Sequence, residues 1–121
     1  MDILDQLRST LGHDAVLTGS GTAKWDQDWT GAYQSTPLAV LRPRNTSDVS
    51  AIIKIAYRTK TPVVPVSGNT GLNGGAQAQG ALLLSLDRLN TISVLDVQGR
   101  TATVGAGVIL SNLHTATEEH D

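Results

Sequence analysis

Two stretches of the chain place apolar residues at the spacing of an amphipathic helix. The first covers residues 2–11, and Gly12 follows it at a position where helices favour a C-terminal glycine. The second follows Asn45 or Thr46, either of which can cap it, with Asp48 in its first turn. The predicted apolar faces are Ile3, Leu4, Leu7 and Leu11 for the first helix, and Val49, Ile52, Ile53, Ala56 and Tyr57 for the second.

Short apolar runs predict buried strands on either side of the second helix and beyond it. Residues 38–41 and 63–66 flank this helix, so they are expected to form a parallel pair with a right-handed crossover. Pro65 within the second run is typical of a strand end or a sheet edge. Residues 81–86 (ALLLSL) predict a third buried strand.

The C-terminal third has the pattern of a hairpin and a helix. Residues 92–97 and 101–104 are expected to pair around Gln98 and Gly99, and a last helix is expected from about Leu110 to His120, capped by Ser111 or its neighbour. Residues 18–36 are polar and contain glycines, which predicts an irregular connection. Parallel strands followed by an antiparallel hairpin indicate a mixed α+β fold.

Charge and composition exclude several classes of protein. Nine basic and eleven acidic residues give a net charge of -2 without long runs, unlike the basic surface that nucleic acid requires. No stretch approaches the roughly 20 apolar residues of a membrane span, and the first ten residues lack the pattern of a secretory signal. The absence of cysteine excludes disulfides and cysteine-bound zinc. A cytoplasmic protein without a nucleic-acid partner or membrane span is therefore expected.

The glycine-rich segment at residues 62–76 (PVVPVSGNTGLNGGA) carries the most informative chemistry. Glycines allow the backbone to approach a ligand closely, and successive N–H groups can then surround an anion. The hydroxyls of Ser67 and Thr70 and the amide of Asn69 add donors. These features favour a diphosphate as the ligand. Four glycines fall within eight consecutive positions directly after a predicted strand: Gly68, Gly71, Gly74 and Gly75.

The segment does not match two common types of phosphate-binding glycine loop. A Walker loop requires Gly-Lys-Ser/Thr, and the absence of any lysine after Lys60 argues strongly against it. A Rossmann fingerprint requires G-x-G-x-x-G at the start of a helix, whereas the spacing here is G-x-x-G-x-x-G-G and a strand follows. A long glycine turn without a ligand stays open, although ordinary turns are shorter and longer loops are more often functional.

The remaining candidate side chains indicate no further chemistry. His114 and Glu118 are four apart on the last predicted helix, but two groups do not make a metal site and no HExxH motif is present. The other histidines are expected at the surface. Trp25 and Trp29 are expected to pack over the core. We therefore assign no catalytic residue and no metal ligand from the sequence.

An ordered series of motifs resembles the vanillyl-alcohol-oxidase superfamily, whose FAD-binding domain is of the PCMH type. The series is PLAVLRPRNTSDV, PVVPVSGNTGLNGGA and LLSLDRLNTI, within a resemblance that runs from about Asp28 to the end. It is most similar to the group of glycolate oxidases, D-lactate dehydrogenases and D-2-hydroxyglutarate dehydrogenases. The resemblance implies FAD as the cofactor and oxidation of a 2-hydroxy acid to a 2-oxo acid by hydride transfer to the flavin.

The resemblance also implies the domain organisation and the residues that bind FAD. Residues 1–36 would form an N-terminal helix and connection, 37–90 a first FAD-binding subdomain, and 91–121 the start of a second. Relatives with covalently bound FAD carry a histidine in the loop, where this chain has Asn69 or Thr70, so non-covalent FAD is implied. The implied FAD-binding residues are Pro65, Val66, Ser67, Gly68, Asn69, Thr70, Gly71, Leu72, Gly74, Gly75, Ala76 and Asp87.

Family members are longer than this chain. They continue with a second flavin-binding segment and a substrate domain, so we expect the chain to be an incomplete enzyme that is inactive alone. A second chain or a C-terminal portion would complete the flavin site. The alternative is a stand-alone module that uses the loop as a nucleotide or anion site, or as an interaction surface, without redox activity.

Overall fold

The computed structural model describes residues 2–25, 35–68, 75 and 79–120. The α-helices in this part are α1 (Ile3–Leu11), α2 (Thr46–Thr59) and α3 (Leu110–Glu118). The strands are β1 (Val16–Leu17), β2 (Ala39–Leu41), β3 (Val63–Val66), β4 (Leu82–Ser85), β5 (Ile92–Asp96) and β6 (Thr101–Val104). Short 3₁₀ helices cover His13–Ala15 and Gly19–Trp25. No helix among the described residues is long and apolar enough to span a bilayer.

The strands form a mostly parallel sheet and a separate antiparallel hairpin, which confirms the α+β class. The first sheet has the order β1-β2-β4-β3, with β4 parallel to both neighbours and β1 antiparallel to β2. The hairpin consists of β5 and β6. The strands that flank α2 run parallel as predicted, but they are not neighbours, because β4 lies between them. Pro65 accordingly lies in the edge strand β3, where a missing backbone donor is tolerated.

Apolar side chains pack on both faces of the first sheet, so its central strands are removed from water. Alternate residues of β2 and β4 face opposite sides, as the pleat of a strand requires. On one face, α1 and α2 pack against the strands, and the buried residues of this core are Leu7, Leu11, Ala15, Val16, Ala39, Leu41, Ile52, Ile55, Ala56, Leu82 and Leu84. The opposite face includes Trp25, Val40, Val66, Ala81 and Leu83.

Helix α2 buries a face that is rotated from the predicted one. Ile52 and Ala56 are buried as expected, and Ile55 is the other buried residue of the helix. Ile53 is 45% exposed and Tyr57 is 85% exposed, so their predicted place in the core is wrong. Helical periodicity allows the apolar stripe to extend to either side of Ile52 and Ala56, and the contact with α1 and the sheet decides which side is buried.

The helix ends agree with the predicted signals in two cases and differ in the third. Helix α1 ends at Leu11, and Gly12 follows it as the C-cap with a φ of 93°, which suits glycine. Asn45 caps α2, because its side-chain oxygen accepts from the Asp48 backbone N–H at 2.8 Å. The predicted serine cap of α3 is wrong, since Ile109 occupies the N-cap position without a side-chain hydrogen bond and Ser111 lies inside the helix.

The hairpin joins the first sheet through the turn at residues 86–89. The Gly105 N–H donates to the Thr91 carbonyl at 2.8 Å, and the Gly107 N–H donates to the Leu89 carbonyl at 2.9 Å. A Cβ atom at Gly107 would overlap the carbonyl oxygen of Leu86, and one at Gly105 would overlap that of Leu89. Backbone meets backbone here, so a side chain fits at neither glycine.

We expect Gly107→Ala to lower the free energy of unfolding by about 2 kcal/mol, because the added Cβ forces the backbone at Leu86 to move. Urea unfolding followed by circular dichroism measures this change. Gly21→Ala is the matched control, since its new Cβ would lie 3.6 Å from the Leu17 Cβ, an ordinary contact. Equal losses in the two variants, or no loss in Gly107→Ala, would contradict the close approach.

Candidate functional site

The carboxyl ends of the three parallel strands meet at one edge of the first sheet, which we call the carboxyl edge. Strand β3 is in register with β4 up to the pair Val66 and Ser85, and the Leu86 N–H donates to the Val66 carbonyl at 2.9 Å. Ser67 and Gly68 leave the sheet at this point. Open parallel sheets bind ligands at their carboxyl ends, so the glycine loop begins where a ligand is expected.

The loop after β3 must cross the length of the sheet before the chain enters β4. Because these strands are parallel, the chain leaves the carboxyl edge at Ser67 and returns to the amino edge. There the Gly80 N–H donates to the Thr36 carbonyl at 3.0 Å. A tight turn cannot make this connection. The crossover therefore accounts for part of the loop's length without a ligand.

The structure describes some of the predicted FAD-binding residues and leaves the centre of the loop outside the described residues. Val66 is buried, Ser67 is half-buried, and Pro65, Gly68 and Gly75 are exposed. Together with Asp87, these are the predicted FAD-binding residues that lie within the described ranges. The predicted residues outside the described ranges are Asn69, Thr70, Gly71, Leu72, Gly74 and Ala76.

Asp87 is the centre of a polar cluster at the carboxyl edge. Arg42 donates to both of its oxygens, from Nε to Oδ1 at 3.3 Å and from Nη2 to Oδ2 at 3.0 Å. The hydroxyl of Ser85, a fully buried residue, donates to Oδ1 at 3.1 Å. The Arg88 guanidinium also donates to the Arg42 carbonyl at 3.4 Å. The cluster thus ties the end of β2 to the turn that follows β4.

The pKa of the Asp87 carboxyl is lowered from its ordinary value by these neighbours. Burial acts to raise this pKa, but hydrogen bonds from Arg42 and Ser85 and the positive charges of Arg42 and Lys24 outweigh it. Asp87 is therefore a carboxylate at neutral pH. Because Arg42 and Ser85 already bond to it, its evident role in this structure is to anchor the carboxyl edge.

The 3₁₀ helix Gly19–Trp25 packs on the second core face of the first sheet. Trp25 is buried in the cluster that includes Val66, which agrees with the prediction that it packs over the core. The Nζ atom of Lys24 lies 5.1 Å from the centroid of the Trp25 ring. Trp29 lies outside the described residues. This helix therefore places a buried aromatic ring, with a cation over it, on the second core face.

Other parts of the described structure offer weaker candidates. No group of three or more histidine or acidic side chains that could hold a metal ion occurs among the described residues. A groove of about 460 Å³ lies between the hairpin and α3, and its walls include none of the described residues predicted to bind FAD. The residues at its walls are Leu95, Asp96, Val97, Arg100, Thr101, Ala102, Leu113, Thr117 and His120.

The ion pair between Arg42 and Asp87, which are 45 positions apart, was not predicted from the sequence. A signal was present, since Arg42 directly follows a predicted buried strand and Asp87 directly follows another. Carboxyl ends of neighbouring parallel strands share one edge, so opposite charges at these positions are expected to meet once the strand order is known. The backbone contacts of Gly105 and Gly107 were also missed.

Comparisons with known sequences identify relatives of this chain. Residues 37–121 match a family model described as FAD binding domain. A D-2-hydroxyglutarate dehydrogenase from Xanthomonas citri pv. viticola is 41% identical over 96 residues, which are 78% of this chain and 20% of that protein. Glycolate oxidase subunit GlcD from Bacillus subtilis is 37% identical over 119 residues, which are 97% of this chain and 25% of that protein. The chain thus spans a quarter or less of the length of these relatives.

Solved structures confirm the predicted fold. A 4-ethylphenol oxidase from Gulosibacter chungangensis superposes with a TM-score of 0.85 at 26% identity, over 97% of this chain and 24% of that chain. A p-cresol methylhydroxylase superposes with a TM-score of 0.83 at 23% identity, with the same coverage of 97% and 24%. The described elements therefore have the arrangement of the PCMH-type fold.

We expect Asp87→Asn to lower the free energy of unfolding by about 1 kcal/mol near neutral pH, because Arg42 loses its charged partner. The pKa of Asp87 in the folded chain lies below the ordinary value of 3.8. The carboxylate therefore stabilises the fold above the unfolded-state pKa, and this contribution is lost as the pH falls through the folded-state pKa. Denaturant unfolding near neutral pH and below about pH 4 should show the difference between wild type and variant shrinking with acid.

The matched control for this experiment is Asp5→Asn, which makes the same change in charge. Its side chain is 63% exposed and lies 3.8 Å from Arg8, so only a small loss of stability is expected. A difference between wild type and Asp87→Asn that does not change with pH would contradict the role given to the Asp87 charge.

Proposed function

This chain belongs to the family of FAD-binding domains, and we propose that it forms the diphosphate-binding part of a flavin-dependent oxidoreductase. FAD is the cofactor of this family. The observation that carries the proposal is the position of the glycine loop, which leaves β3 at the carboxyl edge of a parallel sheet. Ligands bind at this edge in open sheets with helices on their faces.

The residues that begin the loop suit a diphosphate. Ser67 offers a hydroxyl and a backbone N–H, and Gly68 allows a phosphate to approach the backbone. Residues 61–86 contain no charged side chain, so the donors of the loop itself would be neutral. This stretch also contains no histidine or cysteine, which supports non-covalent binding of FAD. We propose that FAD-binding positions extend through Ala76 and include Asp87.

The activity we propose for the whole protein is oxidation of a 2-hydroxy acid to a 2-oxo acid. It is supported by the names of two similar proteins, a D-2-hydroxyglutarate dehydrogenase and a glycolate oxidase subunit. The flavin would supply the redox chemistry, while this chain supplies binding and orientation. Because the chain spans a quarter or less of these relatives, the catalytic groups would lie on a further segment or on a second chain. The chain alone is then expected to be inactive.

We also propose a division of the chain into subdomains and a position for FAD relative to them. Residues 37–90 would form the first FAD-binding subdomain and 91–121 the beginning of a second, with 1–36 as an N-terminal helix and connection. FAD would lie between the two subdomains, which the turn at residues 86–89 joins through the backbone contacts of Gly105 and Gly107. A cytoplasmic location is retained as a prediction from the sequence.

We expect the chain to bind FAD saturably, and the variant Ser67→Ala/Gly68→Ala/Gly71→Ala to bind at least about tenfold more weakly. The variant loses a hydroxyl donor and places Cβ atoms where the backbone would approach the phosphates. Titration followed by flavin fluorescence measures the dissociation constant, and circular dichroism checks that the variant is folded. Gly21→Ala is the matched control outside the loop. Wild-type affinity in the loop variant, or no FAD binding by the folded wild-type chain, would contradict the proposal.

The relative affinities for FAD, AMP and inorganic phosphate distinguish this function from that of a stand-alone nucleotide or anion module. Such a module would bind AMP or inorganic phosphate as tightly as it binds FAD. The flavin-binding role predicts clear preference for FAD in the same titration. Equal affinity for FAD and AMP would favour the module without redox activity.

A further inference from the structure

We propose that the chain self-associates by binding the exposed side of α2 in one copy to the exposed side of α3 in another copy. This inference does not depend on the proposed function. It follows from the exposed apolar side chains of the two helices, the opposite charges beside them, and the similar spacing of both along the two helices.

The exposed side of α2 combines apolar side chains with positive charge. We call Ile53, Lys54, Tyr57, Arg58 and Lys60 the basic surface of α2, and all five residues are exposed. Tyr57 is 85% exposed and lies between two shallow clefts of about 740 and 580 Å³. The described walls of these clefts include all three cations and no carboxylate. Tyrosine and arginine are the residue types that most often dominate the energy of a protein interface.

The cations of the basic surface of α2 have no partner within the copy that carries them. No carboxylate lies at ion-pair distance from Lys54, Arg58 or Lys60 in the described part of the chain. Lys54 and Arg58 are four residues apart on one helix face, so their repulsion is weakly unfavourable in the free chain. Carboxylates from another molecule would remove this repulsion. The basic surface of α2 therefore suits a partner that is both acidic and apolar.

Helix α3 presents a surface of that kind. None of its residues is buried, and Leu110 is 63% exposed. His114 and Glu118 follow Leu110 at steps of four residues, so the three lie on one side of the helix. Together with Glu119 they form the acidic surface of α3, and all four residues are exposed. Neither glutamate has a cation at ion-pair distance among the residues that the structure describes.

The two surfaces match in length when the helices lie side by side and run in the same direction. On α3, Leu110 and Glu118 are eight residues apart, which is about 12 Å along the axis. On α2, Ile53 and Lys60 are seven residues apart, which is roughly 10 Å. Packing of Leu110 on Ile53 thus brings the acidic end of α3 to the basic end of α2. These charges do not meet within one copy, so a second copy supplies the partner.

The test is sedimentation velocity of the full chain over a range of concentrations, at low and at high ionic strength. Wild type should associate reversibly at low ionic strength, and added salt should weaken the association, because it screens exposed charges. Arg58→Glu and Glu118→Arg should each raise the dissociation constant at least about tenfold, because each places like charges opposite one another. The double variant Arg58→Glu/Glu118→Arg should return to within about threefold of wild type, because the two charges are exchanged.

Asp5→Arg is the matched control for Glu118→Arg, since it makes the same change in charge at a side chain of α1 that is 63% exposed. It should associate like wild type, and circular dichroism checks that each variant is folded. A wild-type chain that stays monomeric at every concentration would overturn the inference. A double variant that associates no better than the single variants would also overturn it, because the two helices would then not meet. An equal effect of Asp5→Arg and Glu118→Arg would do the same, because only the net charge would matter.

Discussion

The burial of β4 between β2 and β3 is the constraint on which the site depends. All four residues of this strand, Leu82–Ser85, are buried, and the strand pairs in parallel on both sides. An apolar strand without a polar face is stable only where both of its faces are covered. Because β4 lies in the centre, β3 is the outermost strand of the sheet, and the chain leaves β3 at the carboxyl edge. The strand order therefore decides that the glycine loop begins at the outer end of the carboxyl edge.

A single turn then connects the parts of the candidate site. The turn at residues 86–89 is held on one side by the ion pair of Asp87 with Arg42, and on the other by the backbone of Gly105 and Gly107. The Leu86 N–H in the same turn donates to Val66, directly before the loop. The first sheet, the hairpin and the start of the loop thus meet within a few residues. A cofactor bound between the sheet and the hairpin would have its position set by this turn.

Local patterns in the sequence predicted most of the elements, because they depend on neighbouring residues. The apolar face of α1, the Asn45 cap, the runs that became β2, β3 and β4, and the hairpin all follow from local spacing. Features that depend on residues far apart were not predicted. The position of β4 between β2 and β3 and the burial of Ile55 are decided by which surfaces meet in the folded chain. Strand β1 has only two residues, too few for a periodic signal.

The candidate site was also predicted only where it depends on neighbouring residues in the sequence. The glycine loop could be located from the sequence because glycine spacing after a strand is a local signal, and the resemblance then identified FAD. The Arg42–Asp87 pair and the position of Lys24 over Trp25 could not be located, because each depends on how the elements pack. What the fold adds is a common place for Arg42 and Asp87, at the carboxyl edge where the loop leaves β3.

The most direct test of this account is amide hydrogen exchange of the chain with and without saturating FAD, read by mass spectrometry of overlapping peptides. The account predicts slower exchange with FAD in peptides that cover residues 66–76 and the turn at 86–89. Exchange should be unchanged in peptides from α2. Slower exchange confined to the hairpin and α3 would contradict it, because FAD would then bind in the groove between them and not at the carboxyl edge.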